Sequence, residues 1–184
     1  MTIRTFIALE IPQDIIEIAF KKLKSKIKSF DKINWEPKEK LHLTLKFIGN
    51  FEENNINLLT EELNKTFERF NKLDLGLDKF GFFWKDENPK ILWLGLKENK
   101  NLFELVSKID EVTNQFGIEK EKRKFKSHIT FLRIKNLNHI DELLFLKEVK
   151  FDNINFVSDK IHLFKSELLK TGSVYKSLKE FQLK

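Results

Sequence analysis

Residues 42–48 read HLTLKFI and residues 128–134 read HITFLRI, so one strand-like segment headed by His-x-Thr occurs twice, 86 positions apart. The chain holds four histidines in 184 residues, and two of them open these segments. On a β-strand, side chains two apart point to the same face. His42 and Thr44, followed by Lys46, therefore share one face, and Leu41, Leu43, Leu45 and Phe47 take the other. In the second copy His128 and Thr130 share a face opposed by Ile129 and Phe131, and the same counting puts Arg133 opposite His128. A single such pair is common, because β-branched threonine suits strands anyway. Two pairs in the same phase point to a duplicated half-domain whose motif strands meet about a pseudo-twofold axis, with both pairs lining one cleft.

The surrounding pattern supplies the rest of such a unit. Residues 3–9 predict a strand, and Asp14–Phe30 a helix with Ile15, Ile16, Ala19, Leu23, Ile27 and Phe30 on one face. The first motif strand, Leu41–Ile48, is expected to stop at Gly49-Asn50. A second helix is expected over 53–70, then strands over 73–80 and 91–96 joined by FWKDENPK. A third helix, Leu102–Phe116, is stopped by Gly117. The second half resembles the first: a strand in FKSHITFLRI, a short helix near 139–147, and strands near 154–157, 160–165 and 174–180. No Pro/Gly/Ser-rich linker divides the chain, so the expectation is α+β, mostly antiparallel, in one domain over 1–184.

Composition narrows the function classes. With 41% hydrophobic and 34% charged residues the chain reads as soluble and globular. No apolar run approaches the ~20 residues of a membrane helix, and no membrane partner is expected. The opening MTIRTFIALEIPQD reaches an acid within ten residues without a small-residue cleavage site, so it reads as a strand rather than a signal peptide. The absence of cysteine excludes disulfides, thiolate nucleophiles and cysteine-rich zinc sites. A cytoplasmic monomer is the expectation. The net charge of +6 (34 − 28) favours phosphate-rich partners, although a lysine-rich solvated surface accounts for most of it. The four arginines, Arg4, Arg69, Arg123 and Arg133, are individually more informative, and two of them flank the second His-x-Thr.

Two histidines across one cleft suit phosphoryl transfer by acid and base. One imidazole takes a proton while the other, protonated, gives one up. The two threonine hydroxyls can donate to non-bridging phosphate oxygens, where charge accumulates. Such a site needs no cofactor, and no His/Asp/Glu set in the sequence has metal-ligand spacing, so no metal is expected. His139 reads as a solvent-exposed residue at a helix start and His162 as an ordinary strand histidine. Trp35, in a charged turn before the first motif, is the best candidate for stacking on a planar group of a phosphate-rich partner, and Arg123, in EKEKRKFK before His128, for a contact to that partner's phosphates.

The paired HLTLKFIG and HITFLR resemble the two motifs of the two-histidine phosphoesterases, and within them the RNA 2′,3′-cyclic phosphodiesterases, also called the 2′-5′ RNA ligase family. RTFIAL at the start, Trp35, PKILWLGL at 89–96 and SELLKTGSVY at 166–175 extend the resemblance over nearly the whole chain. It implies two pseudo-twofold-related lobes, each a mostly antiparallel sheet with helices on its outer face, around a basic active-site groove. It also implies hydrolysis of a terminal 2′,3′-cyclic phosphate on RNA to a 2′-phosphomonoester, with His42 as general acid, His128 as general base, and Thr44 and Thr130 holding the phosphate. Arg133 matches the family's arginine as a phosphate contact. The second motif departs from the usual His-x-Thr-Leu-Ala-Arg at Phe131 and Leu132, and Ser127 stands where many relatives have proline. Alternatives with the same residues are a small substrate such as ADP-ribose 1″,2″-cyclic phosphate, 2′-5′ ligation of RNA ends, or a non-catalytic RNA-binding module.

Overall fold

The computed structural model describes residues 1–170 and 172–184; Thr171, inside the 166–175 stretch, lies outside the described residues. Among the described residues, eight strands make one sheet in which every pairing is antiparallel. They are β1 (Thr2–Glu10), β2 (His42–Glu52), β3 (Leu73–Lys85), β4 (Asn88–Leu96), β5 (His128–Arg133), β6 (Asn155–Ser158), β7 (Lys160–Leu169) and β8 (Gly172–Gln182). Their order is β6-β3-β4-β5-β2-β1-β7-β8. From the centre outwards the two lobes read β2-β1-β7-β8 and β5-β4-β3-β6, the pseudo-twofold α+β arrangement.

The lobes do not coincide with the halves of the chain. A two-residue turn at Asp86-Glu87, both with positive φ (49° and 59°), closes a hairpin that sets β3 beside β4 in the second lobe. In exchange β7 and β8, from the end of the chain, return to β1 in the first lobe. The helices interleave as well. Helix α1 (Gln13–Lys26) buries Ile15, Ile16, Ala19, Phe20 and Leu23, and its Phe20 ring meets Phe131 of β5 at 5.2 Å. Helix α2 (Ile56–Phe67) buries Leu59, Leu63 and Phe67 beside helix α3 (Lys100–Gln115), which packs beneath β2. The Asn99 side chain caps α3 by accepting from the Leu102 amide at 2.9 Å. Helix α4 (Ile140–Leu144) is short. One continuous apolar cluster thus runs beneath the junction of the motif strands.

Strict alternation fails within both motifs, and it fails at the same place. Along β1–β2 the register passes from Ile7↔Lys46 to Ala8↔Thr44, which leaves Leu45 unpaired; along β4–β5 it passes from Leu92↔Leu132 to Trp93↔Thr130, which leaves Phe131 unpaired. Each bulge lies three residues after its histidine and reverses the facing of the residues beyond it. Lys46 therefore enters the interior and Phe47 emerges 52% exposed, the opposite of the alternating pattern. Leu132 is buried and Arg133 comes round to the side of His128. The second bulge also explains the bulky Phe131, which fills the space between Phe20 and Phe80. Strand β2 runs on to Glu52 instead of ending at Gly49-Asn50, because Gly49 takes φ +83° at a further irregularity of register.

Candidate active site

The two lobes join through β2 and β5, with Leu43 paired to Ile129. Antiparallel partners run in opposite directions, so this pairing sets His42 across from Thr130 and Thr44 across from His128. Directly opposed side chains start about 5 Å apart and diagonal ones about 7–8 Å apart, which places the two imidazoles on either side of a space the size of a phosphate. All four side chains line one groove of about 400 Å³, together with Arg4, Lys40 and Arg133.

The two histidines are held alike. Nδ1–H of His42 donates to the Lys40 carbonyl at 2.7 Å, and Nδ1–H of His128 donates to the Lys126 carbonyl at 2.7 Å. Each bond spans two residues, and each leaves Nε2 unprotonated in the neutral ring and free to exchange a proton. Aromatic side chains fix the ring planes. His42 stacks on Phe6 at 5.0 Å and meets the edge of Tyr175 at 5.5 Å. His128 meets Phe83 edge-on at 4.8 Å, and Phe83 leans on Trp93. The Trp93 ring lies flat over Gly81, where an added Cβ would stand 2.3 Å from ring carbons. Gly81→Ala is expected to displace Trp93 and cost about 2 kcal/mol, in the range for overpacked cores. Denaturant unfolding measures it, and an unchanged midpoint would refute it.

Burial pushes the His42 pKa down to about 4, helped by the nearby positive charge of Arg133 and by His128, while the bond to Lys40 opposes the shift. Burial also lowers the pKa of His128, with smaller contributions in that direction from Lys126 and Arg133. The unfolded chain, with an imidazole pKa near 6.5, then binds more protons than the folded chain between about pH 6.5 and pH 4. Stability falls as the pH drops through that window. For His42 the full effect is about 3 kcal/mol. His42→Gln should therefore lose about that much less stability than the native chain between pH 7 and pH 4, as read by urea denaturation at the two pH values. An identical loss in both proteins would refute this.

The other candidates from the sequence divide. Arg133 stands in the groove, its Nε 3.3 Å from a Glu36 carboxylate oxygen, and Glu36 is itself tied to β5, its backbone N–H donating to the Phe131 carbonyl at 2.9 Å. Trp35 is employed in packing: its Nε1–H donates to the Phe30 carbonyl at 3.0 Å and its ring stacks on Phe30, so it does not line the groove. The Arg123 side chain is 89% exposed and folds back on Glu121, also away from the groove. His139 begins α4 with φ 60°. His162 stacks on Phe164 and bonds to Glu10 and Ser177. Among the described residues, no three His, Cys, Asp or Glu side chains are grouped to hold a metal.

Sequence reasoning missed several lining residues. Arg4 crosses from β1 to lie over the Phe47 ring, 4.9 Å from its centroid. Tyr175, Ser166, Leu168 and Ser173 arrive on β7 and β8. Rarity was the available signal: Tyr175 is the single tyrosine and Arg4 one of four arginines.

The fold and the mirrored motif strands are those of the two-histidine phosphoesterases. A family model described as LigT like Phosphoesterase matches residues 10–93 and again 94–175, and the chain belongs to that family. Curated relatives include the RNA 2′,3′-cyclic phosphodiesterases of Methanocaldococcus jannaschii, 32% identical over 97% of this chain and 99% of the relative, and of Thermotoga maritima, 29% identical over 97% and 95%. Among solved structures, a Thermus thermophilus protein superposes with a TM-score of 0.81 at 22% identity, covering 98% of this chain and 97% of the other. E. coli LigT complexed with 3′-AMP superposes with a TM-score of 0.78 at 20% identity, covering 100% and 99%.

Proposed function

We propose that the chain hydrolyses the terminal 2′,3′-cyclic phosphate of RNA to a 2′-phosphomonoester by acid–base catalysis between His42 and His128. The observation that carries this reading is the pair of imidazoles, each tied through Nδ1 to a carbonyl two residues back, facing one cationic groove with Nε2 free. The names of the curated relatives support the substrate class.

With the cyclic phosphate between the motifs, Nε2 of His128 takes a proton from water as its oxygen attacks phosphorus. The bond from phosphorus to the 3′ oxygen breaks, Nε2–H of His42 protonates that oxygen, and the 2′ bond is kept. Thr44 and Thr130 donate to the non-bridging oxygens, and the Arg133 guanidinium offsets their charge. In the free protein His42 is neutral at pH 7, its pKa being about 4. An incoming phosphate anion favours the imidazolium and so supplies the acid form where it is used. RNA ending in a 2′,3′-cyclic phosphate, incubated with the protein in EDTA, should yield only 2′-phosphate ends. A 3′-phosphate product would reverse the leaving group, and loss of turnover in chelator would point to a metal.

A further inference from the structure

Arg133 lines both the groove and a neighbouring cavity of about 280 Å³. The cavity's other polar lining is Lys32, Lys135, His139 and three asparagine amides, with no carboxylate. Among the described residues neither lysine enters an ion pair. Glu142, 3.7 Å from His139, is engaged by the Ser29 amide at 3.1 Å and the Ser29 hydroxyl at 2.8 Å. Two of the asparagines lie on one loop shaped from within, the Asn136 side chain accepting from the Asn138 amide at 3.1 Å. The opposite flank differs in chemistry. There a cavity of about 500 Å³ shares Lys40, His42 and Tyr175 with the groove, and in its lining Glu10 and Glu39 offset Lys38 and Lys40 beside Ile11, Ile16 and Phe164. The cavity beside Arg133 is lined by three cations without a carboxylate and the other by equal numbers of each, so charge favours a phosphodiester on the Arg133 side.

We propose that the cavity beyond Arg133 is an anion subsite for the phosphodiester immediately upstream of the cyclic phosphate. The substrate class is then an RNA end carrying at least one internucleotide phosphate, in preference to a free cyclic nucleotide. The inference rests on the function proposed above. Arg133, planar and with donors on several edges, contacts the reacting phosphate from one side and the upstream phosphate from the other. Lys32 and Lys135 add a positive field that is sensitive to salt.

Three substrates separate charge from base stacking: adenosine 2′,3′-cyclic phosphate, the dinucleotide ApA ending in a 2′,3′-cyclic phosphate, and that dinucleotide with a neutral methylphosphonate linkage. At low salt, kcat/KM should be about tenfold higher for the charged dinucleotide than for its neutral analogue, falling to about twofold in the Lys32→Met/Lys135→Met protein. The cyclic mononucleotide should be turned over equally by both proteins, which also shows that the variant is folded. An advantage unchanged in the variant, or absent from the native protein, would overturn the subsite while leaving the function intact. Hydrolysis of none of the three would defeat the function. The subsite is then decided by titrating ApA 2′-phosphate and its methylphosphonate analogue into both proteins: a charge preference lost in the variant supports it, and equal binding overturns it.

Discussion

Replacing His128 by alanine is expected to lower kcat on a 2′,3′-cyclic phosphate end by about 10²–10⁴-fold, and replacing His42 to do the same. The loss should fall on kcat more than on KM, because in the proposed mechanism each imidazole acts on a proton in flight while Thr44, Thr130 and Arg133 still hold the ground-state phosphate. The two losses should not multiply. Acid and base work on one transition state, and with either absent the other has little to complete. Both rings are only half-buried and packed against aromatic side chains that remain. The variants should therefore fold, as far-UV circular dichroism and thermal melting would show. Single-turnover rates on a labelled cyclic-phosphate oligonucleotide check the prediction, and full activity in either variant would remove that histidine from the mechanism.

Lys46→Met should be strongly destabilising although it keeps the volume of the side chain. The bulge at Leu45 turns this lysine inward, where it is 7% exposed. Its Nζ pairs with Asp110 of α3 and donates to the Glu119 carbonyl at 2.8 Å. The other oxygen of Asp110 accepts from the Glu121 amide at 3.0 Å. One buried cation thus joins the first motif strand, α3 and the basic loop that leads to His128. Methionine would keep the packing and leave Asp110, 18% exposed, without its cation, at a cost of about 3 kcal/mol. In a chain of this size that lowers the melting temperature by roughly 10 °C. The loop should also become open to trypsin at Lys120–Lys126. Lys46→Met/Asp110→Leu should recover part of the loss, since it removes the stranded charge as well. A double variant no more stable than the single one would show that the stranded carboxylate is not the source of the loss.

Local pattern carried much of this protein. Helices α1, α2 and α3 follow from apolar spacing, and the hairpin turn and the stop at Gly117 (φ 81°) follow from residue chemistry. The pairing of His42 with Thr44, and of His128 with Thr130, is a consequence of strand parity over two residues, too short a distance for a bulge to intervene. Beyond the bulge, four and five residues from the histidines, the same rule misassigned Lys46, Phe47 and Arg133. A bulge is a relation between two strands: Leu45 and Phe131 are surplus only against β1 and β4, and neither partner is visible from within the motif. Trp35 misled for a related reason, because a charged neighbourhood in sequence conceals a pocket formed by Phe20 and Phe30 in space.

The sequence by itself determined that two equivalent His/Thr pairs exist and that each pair shares a face. These properties depend on residue type and on the two-residue period of the extended chain, both strictly local. Only the tertiary structure decided that Leu43 lies opposite Ile129, so that each histidine looks across at the other motif's threonine. It also decided that β7 and β8 return to bring Tyr175 against His42 and that Arg133 faces the groove. Register, bulges and long-range strand order are set by the sum of many contacts between segments far apart in the chain, and no short window of sequence contains both sides of any of them.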